Sequence, residues 1–583
     1  MPVKKEIRAE FIKKLSFLYG SGEADRIFDG INDIINFYQP LIYKLSNNAG
    51  RAKFRENDIA FTTYGDQVSS ENEKTLKVLN KFLGNYVSGL IKIIHILPFY
   101  PYSSDDGFSV IDYKEVKKEN GGWEDIVSMG KNFNLMFDAV INHISAKSGW
   151  FGKYLAGDEA FRNFFIETGP SIDLSGVIRP RTLPLLTKFD TSKGEKWLWT
   201  TFSADQIDLN YESPDTLLAI IDVLLFYVSQ GARVLRLDAI AYLWKKPGTK
   251  CVHLPETHEV IKLLRLILDE SAPYVSIITE TNVPHKDNIS YFGKNGDEAQ
   301  MVYNFSLPPL LAHAILMENS TFLSSWASSL EVPACGNTYF NFTASHDGIG
   351  VTPATGLLPQ EEIDFLCKST LARGGNISSK KNENGTESPY ELNINYLSLL
   401  KADNDSSDAA AEKFMLSQAI MLSMPGVPCV YFHSLVGSVN FTEGVKISGA
   451  FRTINREKLD FKTLVKELSE KDSLRRKVYT RYRELLSVRA GEKAFSPDAS
   501  FSFPLLHPSV FTVLRGFEKN ENPLIAVHNL SSKSVRVSLK NIFEKYGAFN
   551  LFDLLSRRTI VPDEKSEFSV NPLEILWLKC SRP

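Results

Sequence analysis

The sequence predicts an α/β protein built on a closed (β/α)8 TIM barrel, with long insertions at the rim, an N-terminal helical extension and a C-terminal antiparallel β domain. Three observations predict it. Eight short apolar runs, rich in β-branched and aromatic residues, alternate with helix-like stretches, the pattern of a parallel sheet covered on both faces. Asp66, His143, Asp238, Glu280 and Asp347 stand at or just past the ends of such runs, the rim where these barrels build active sites. Beyond about residue 490 the pattern changes to short alternating segments such as "SVFTVLRGF", "PLIAVHNLS" and "EILWLKC", consistent with antiparallel strands.

In chain order, segment 1–58 is the extension, because "ADRIFDGINDIINFYQPLIYKL" repeats its apolar residues at helical spacing. The barrel runs follow: "IAFTTYGD", "LIKIIHILPF", "LMFDAVINH", "ARVLRLDAI", "VSIITET", "AQMVYNFSL", "NTYFNFTASHD" and "GVPCVYF". They divide into barrel segments 59–142, 213–347 and 402–490. Two connections are too long for ordinary βα loops: an inserted B domain at 143–212 and a B' domain at 348–401, the latter with the polar stretch "GGNISSKKNENGTESPYELN". Excursions of that length at an active-site rim are expected to cover or select substrate. Segment 491–583 is the C-terminal β domain, and no internal repeat or coiled coil interrupts the plan.

The composition narrows the function. A chain of 583 residues with formal net charge −3 and 43% hydrophobic residues can bury a large core, and its balanced charge offers neither nucleic acid nor an anionic membrane a basic surface. Small-molecule substrates are the expected partners. Cys251, Cys335, Cys367, Cys429 and Cys580 are odd in number and scattered, which argues against a disulfide framework or structural zinc. The opening "MPVKKEIRAEFIKKLSFLYG" is charged throughout, so a cytoplasmic location is expected. His95, His253 and His258 form no HxH or HExxH pair and are assigned no ligand role. No metal or other cofactor is expected, and the extra helices are a candidate homodimer interface.

The run "GARVLRLDAIAYLW" places Arg236 and Asp238 two residues apart on one strand face. An ionised carboxylate in an apolar strand is costly unless paired, so the arginine is expected to lower the aspartate's pKa. That explains a structural ion pair, and equally a nucleophile kept ionised. Glu280 in "IITETN" follows isoleucines with no basic neighbour, so its pKa is expected to rise. One carboxylate held charged beside another held protonated suits glycosidic chemistry, with Asp347 in "TASHDGIG" as a third acid to stabilise positive charge on the sugar.

The segments "FDAVINH", "ARVLRLDAI", "IITETN" and "TASHDG" resemble, in order, the four signature segments of the α-amylase superfamily. "HILPFYPYSSDDGFSVIDY", "IRPRTLPLLTKF", "YNFSLPPLLAHA", "YELNINYLSLL" and "MPGVPCVYF" extend the resemblance to its sucrose phosphorylase branch over roughly residues 60 to 490. The resemblance implies Asp238 as nucleophile, Glu280 as general acid/base and Asp347 as transition-state stabiliser. It implies that Arg236, His143, His346 and Tyr242 serve the glucose subsite, that Phe108 is its stacking platform, and that Asp105 and Arg452 close its far end as an ion pair. Arg181 and Tyr390 match the branch's phosphate-contacting positions, with Glu391 on the acceptor loop.

Departures bear on the acceptor. Sucrose-cleaving members carry aspartate and glutamine where this chain has Ser388 and Glu391, and tyrosine in place of Ile178. Glu391 is awkward beside an anion unless it binds acceptor hydroxyls or pairs with a nearby cation. "YELN", the "TYGDQV" start and the extension resemble the glucosylglycerate phosphorylases of the same branch. The implied activity is reversible phosphorolysis of 2-O-α-D-glucosyl-D-glycerate. The alternatives are a sucrose, sucrose 6'-phosphate or glucosylglycerol phosphorylase, an α-glucoside hydrolase or transglucosidase, and a catalytically dead accessory protein.

Overall fold

A computed structural model describes residues 5–46, 50, 52–169, 171–382, 386–402, 404–518 and 523–582, with the side chain of Cys335 excluded. Residues 1–4, 47–49 and 51 of the expected extension and residues 383–385 of the polar stretch therefore lie outside the described residues.

Eight parallel strands close into a barrel in which spatial order follows chain order. They are β1 (Ala60–Thr63), β2 (Ile93–Ile96), β3 (Asn134–Ala139), β4 (Ala232–Leu237), β5 (Ser276–Thr279), β6 (Met301–Tyr303), β7 (Thr338–Asn341) and β8 (Val427–Tyr431). The ring closes where Ala60 of β1 lies opposite Cys429 of β8 and Ile93 of β2. Alternation splits each strand between two cores. Ala60, Ile93, Met136, Val234, Ile278, Met301, Phe340 and Val427 fill the lumen, while Phe61, Ile94, Phe137, Leu235, Ile277 and Val302 face the surrounding helices. Both sides are apolar, which is why the strands read as unbroken hydrophobic runs.

Helices α1 (Lys5–Tyr19) and α2 (Ser21–Ser46) form the extension and turn at Gly20, whose φ of +83° is open to glycine without strain. Phe11, Leu15, Ile27, Ile31 and Ile42 join the main core. Helix α2 lies against barrel helix α3 (Pro214–Ser229), and α1 against α4 (Pro255–Ser271). A Cβ at Gly30 would meet Leu218 of α3 at 3.1 Å, so glycine permits that close approach. Polar ties fix the seam: Lys14 to Glu259 at 3.2 Å, and Tyr38 with Lys114 on Asp222 at 2.9 and 2.5 Å.

Between β3 and α3, strand His143–Ser145 pairs antiparallel with Gln206–Asp208, and Leu186–Thr191 forms a hairpin with Gly194–Trp199. After β7, Ile349–Gly350, Glu387–Asn393 and Asn376–Lys381 form a three-stranded antiparallel sheet. The C-terminal region holds a six-stranded antiparallel sheet from Phe501 to Ser581, with a separate core that includes Val510, Ile525, Val537 and Leu576. Among the described residues, no helix is long and apolar enough to cross a membrane.

Candidate active site

Arg236 and Asp238 answer to a third residue. Arg236 Nη1 donates to Asp238 Oδ1 at 2.7 Å and also to Asp138, its register partner on β3. His95 on β2 donates from Nε2 to the other Asp138 oxygen at 2.7 Å, and its Nδ1 lies 3.1 Å from Thr62 Oγ1 on β1. A polar row thus crosses four adjacent strands beneath the nucleophile position. One guanidinium serves two buried carboxylates, and Asp138 stays ionised because Arg236 and His95 outweigh its burial.

Asp238 behaves differently from its sequence expectation. Burial raises its carboxyl pKa, and Arg236 only partly opposes this because the same cation also neutralises Asp138. Glu280, the first residue past β5, is pushed up to about 7 by burial, reinforced by Asp238 and Asp347 against the pull of Arg236. Its Oε2 accepts the backbone N–H of Ala239 at 3.0 Å. Ala239 holds a left-handed φ of 49° immediately after Asp238, a conformation that costs a non-glycine residue about 1–3 kcal/mol and aims that N–H.

Asp347 meets Arg452 Nη1 at 2.6 Å, Arg456 Nη2 at 3.4 Å and His346 Nε2 at 3.5 Å. Burial works to raise it, but these groups prevail and hold it well below the usual carboxylate range. His346 itself is lowered to about 3 by burial and stays neutral. Its ring stacks on Phe108 at 4.8 Å and 4°. His143 donates from Nε2 to the Phe108 carbonyl at 2.9 Å, and Gln206 donates to the same oxygen at 3.1 Å.

The cavity these groups enclose holds about 620 Å³ of space, open solvent at its mouth included. Asp238, Glu280, Asp347, Asp105, Phe108, His143, His346, Tyr242, Arg452, Arg181, Tyr390 and Glu391 all line it. Arg236 lies beneath Phe108, its guanidinium carbon 5.7 Å from the ring centre. The structure therefore brings the sequence-nominated residues to one place. Asp66 stays on the rim, paired with Lys458 at 2.7 Å, and Ser388 and Ile178 are absent from the cavity wall. Among the described residues no cluster of three or more His, Cys, Asp or Glu has metal-binding geometry.

One expected ion pair is different. Asp105 meets Arg456 Nη1 at 3.6 Å, whereas Arg452 is taken by Asp347 and by a two-point contact with Glu391. The two arginines stand four residues apart around the turn Phe451–Asn455, so Arg452 lines the cavity while Arg456 meets Asp105 and Asp347 from outside its wall. Nearly sealed Glu391 claims the first, and the second falls to Asp105. Sequence reasoning also missed Asp138, Gln206 and Arg456. Asp138 lay inside the quoted "FDAVINH", and its register with Arg236 was the available signal.

Residues 83–348 match the family described as "Alpha amylase, catalytic domain". A glucosylglycerate phosphorylase of Spirochaeta thermophila is 45% identical over 572 residues, 97% of this chain and 97% of the relative. Another, from Escherichia coli, is 45% identical over 525 residues, covering 90% and 92% respectively. The crystal structure of sucrose 6F-phosphate phosphorylase from Thermoanaerobacter thermosaccharolyticum superposes with a TM-score of 0.72 over 88% of this chain and 98% of that one, at 24% identity, a likeness of fold.

Proposed function

The chain belongs to the glucosylglycerate phosphorylase family of the α-amylase superfamily, and from that premise we propose that it catalyses reversible phosphorolysis of 2-O-α-D-glucosyl-D-glycerate. The products are α-D-glucose 1-phosphate and D-glycerate, which makes the enzyme a hexosyltransferase. In the first displacement an Asp238 oxygen attacks the anomeric carbon. The bond to glycerate's O2 breaks, and Glu280 gives its proton to that oxygen. The β-glucosyl ester on Asp238 is then attacked by a phosphate oxygen, whose proton passes to Glu280, so two inversions retain the α configuration.

The surroundings support each role. Arg236 pulls against the burial that raises Asp238, while a Glu280 value of about 7 supplies a proton at neutral pH. Ionised Asp347 faces the positive charge that develops on the sugar ring. The single observation that carries phosphate over water as second acceptor is Arg181. It lines the cavity above the Tyr390 ring at 5.9 Å, and among the described residues it forms no ion pair with a carboxylate. A guanidinium without an anion beside a glucosyl-enzyme favours an anionic nucleophile.

The four described free thiols fit a reducing cytoplasm, and exposed Phe37 and Tyr43 on α2 fit a homodimer joined there. The test offers α-D-glucose 1-phosphate with D-glycerate, glycerol, fructose or fructose 6-phosphate separately and follows phosphate release. Release fastest with D-glycerate is the expected result. Equal release without any acceptor would assign a hydrolase instead.

A further inference from the structure

Arg452 stands where two cavities meet. It lines both the enclosed cavity of the three carboxylates and a wider outer cavity walled by Phe441, Ile447 and Phe451. Arg181 is shared in the same way. A group entering or leaving the glucosyl-enzyme through the outer cavity therefore passes two guanidiniums.

The Arg452 guanidinium is fixed from behind. Nε donates to Glu391 Oε2 at 3.0 Å and Nη2 donates to Oε1, while Nη1 lies 2.6 Å from Asp347. The Glu391 side chain is 2% exposed and that of Arg452 18%. The carboxylate is thus sealed and the guanidinium keeps an open edge. Three of five N–H groups are engaged by these contacts, and the other two, on Nη1 and Nη2, are free to meet a ligand. A carboxylate facing an anionic acceptor would repel it. A carboxylate behind an arginine instead orients the cation that attracts it, which removes the apparent conflict between Glu391 and an anionic acceptor.

We propose that Arg452 is the specificity-determining residue that reads negative charge on the acceptor side, the carboxylate of glycerate and the phosphate that replaces it, and that Glu391 is a positioning residue that holds its open edge toward them. The proposal rests on the glucosylglycerate reading above.

The experiment sets D-glycerate and glycerol in competition for the same glucosyl-enzyme, with α-D-glucose 1-phosphate as donor and the two glucosides quantified by chromatography. The acceptors differ only in carboxylate against hydroxymethyl, so changes in donor binding, in Asp347 or in the folded fraction cancel in the product ratio. Arg452→Gln is expected to lower the glycerate-to-glycerol ratio by about tenfold or more, the loss expected from one charge-assisted hydrogen bond. Arg452→Lys keeps the charge without the fork and is expected to lower it less; where turnover of the Gln variant is too slow, the Lys variant carries the reading. Glu391→Ala is expected to raise KM for glycerate and phosphate together with less effect on KM for glycerol, and Glu391→Gln, which keeps an oxygen facing Nε, to restore part of the loss. A wild-type enzyme that ignores glycerate overturns the family reading and this proposal with it. A wild type that favours glycerate, with a ratio unmoved in both Arg452 variants, overturns this proposal alone.

Discussion

Replacing Glu280 by Gln separates what this side chain does for catalysis from what it does to stability. Burial, together with Asp238 and Asp347, raises the folded carboxyl from 4.5 to about 7, against Arg236 and the Ala239 N–H. The direction reverses the usual carboxylate case, and so does its linkage to folding. Below about pH 4.5 the group is protonated in both states and carries no penalty. Between about 4.5 and 7 the unfolded chain ionises while the folded chain does not, so the folded state binds more protons and stability falls as pH rises. Above about 7 the penalty is complete. The gap of ~2.5 pH at ~1.36 kcal/mol each gives ~3 kcal/mol as a ceiling, reduced to ~1–2 kcal/mol where cavity water screens the charge. Gln removes the titration. The variant is therefore expected to be more stable than the wild type at pH 8 and nearly equal to it at pH 4.5. Unfolding entropy of ~2.1 cal/mol/K per residue over 583 residues converts ~1–3 kcal/mol into a Tm gain of ~1–3 °C. The assay is matched thermal scans at one heating rate from pH 5 to 8, run beside phosphorolysis, which the substitution is expected to abolish for the poor glycerate leaving group. A Tm difference that does not grow with pH, or a variant less stable at pH 8, would refute the placement of Glu280 as a buried acid.

In the wild type, kcat/KM for the glucosylglycerate is expected to fall as pH rises through about 7, because the first displacement needs Glu280 protonated; a profile flat from pH 6 to 9 would remove it as general acid. Asp238→Asn is expected to abolish transfer to every acceptor while leaving the thermal transition within a few degrees, measured by glucose 1-phosphate consumption and by calorimetry; retained turnover would exclude it as nucleophile. Arg236→Met leaves Asp138 and Asp238 buried without their shared cation, and a loss of about 3–5 kcal/mol in denaturant unfolding is expected. Arg456→Gln frees Asp105 and takes one of two guanidiniums from Asp347, so KM for the glucosyl donor is expected to rise equally whichever acceptor is used.

The barrel was legible because buried parallel strands print as apolar runs, and all eight observed strands lie in or within one residue of the runs read from sequence. The runs overshoot at their C-terminal ends. "TASHD" follows Asn341 as loop, and "INH" lies past Ala139, since their polar residues face the cavity. Asp238 and Glu280 were readable because each directly follows its strand. What failed to read from sequence depends on pairings across the fold. Asp138 is tied to Arg236 by strand register, and it adds to the burial that raises Asp238 against the pull of that arginine. The choice between Arg452 and Arg456 as partner of Asp105 turns on Glu391, which reaches the first from another insertion. His95, assigned no ligand role, has a supporting one as donor to Asp138.

Three carboxylates share one cavity, burial works to raise all three, and what separates them is how far neighbouring guanidiniums offset it. Asp347 has two guanidiniums within 3.4 Å and is the one that falls. Asp238 divides one guanidinium with Asp138 and rises. Glu280 is hydrogen-bonded by a single peptide N–H and climbs to about 7. Aspartate and glutamate differ by only about 0.4 in free peptides, so residue type alone cannot produce this order. A double displacement can use this arrangement, with the stabiliser held ionised, the nucleophile hydrogen-bonded to a guanidinium and the acid still able to give a proton. Three arginines, two around one turn and one on a strand, therefore help assign the chemistry of three acids. Moving one cation should move one role: a guanidinium brought beside Glu280 would keep it ionised and stop the first displacement, although Asp238 and Asp347 remained untouched.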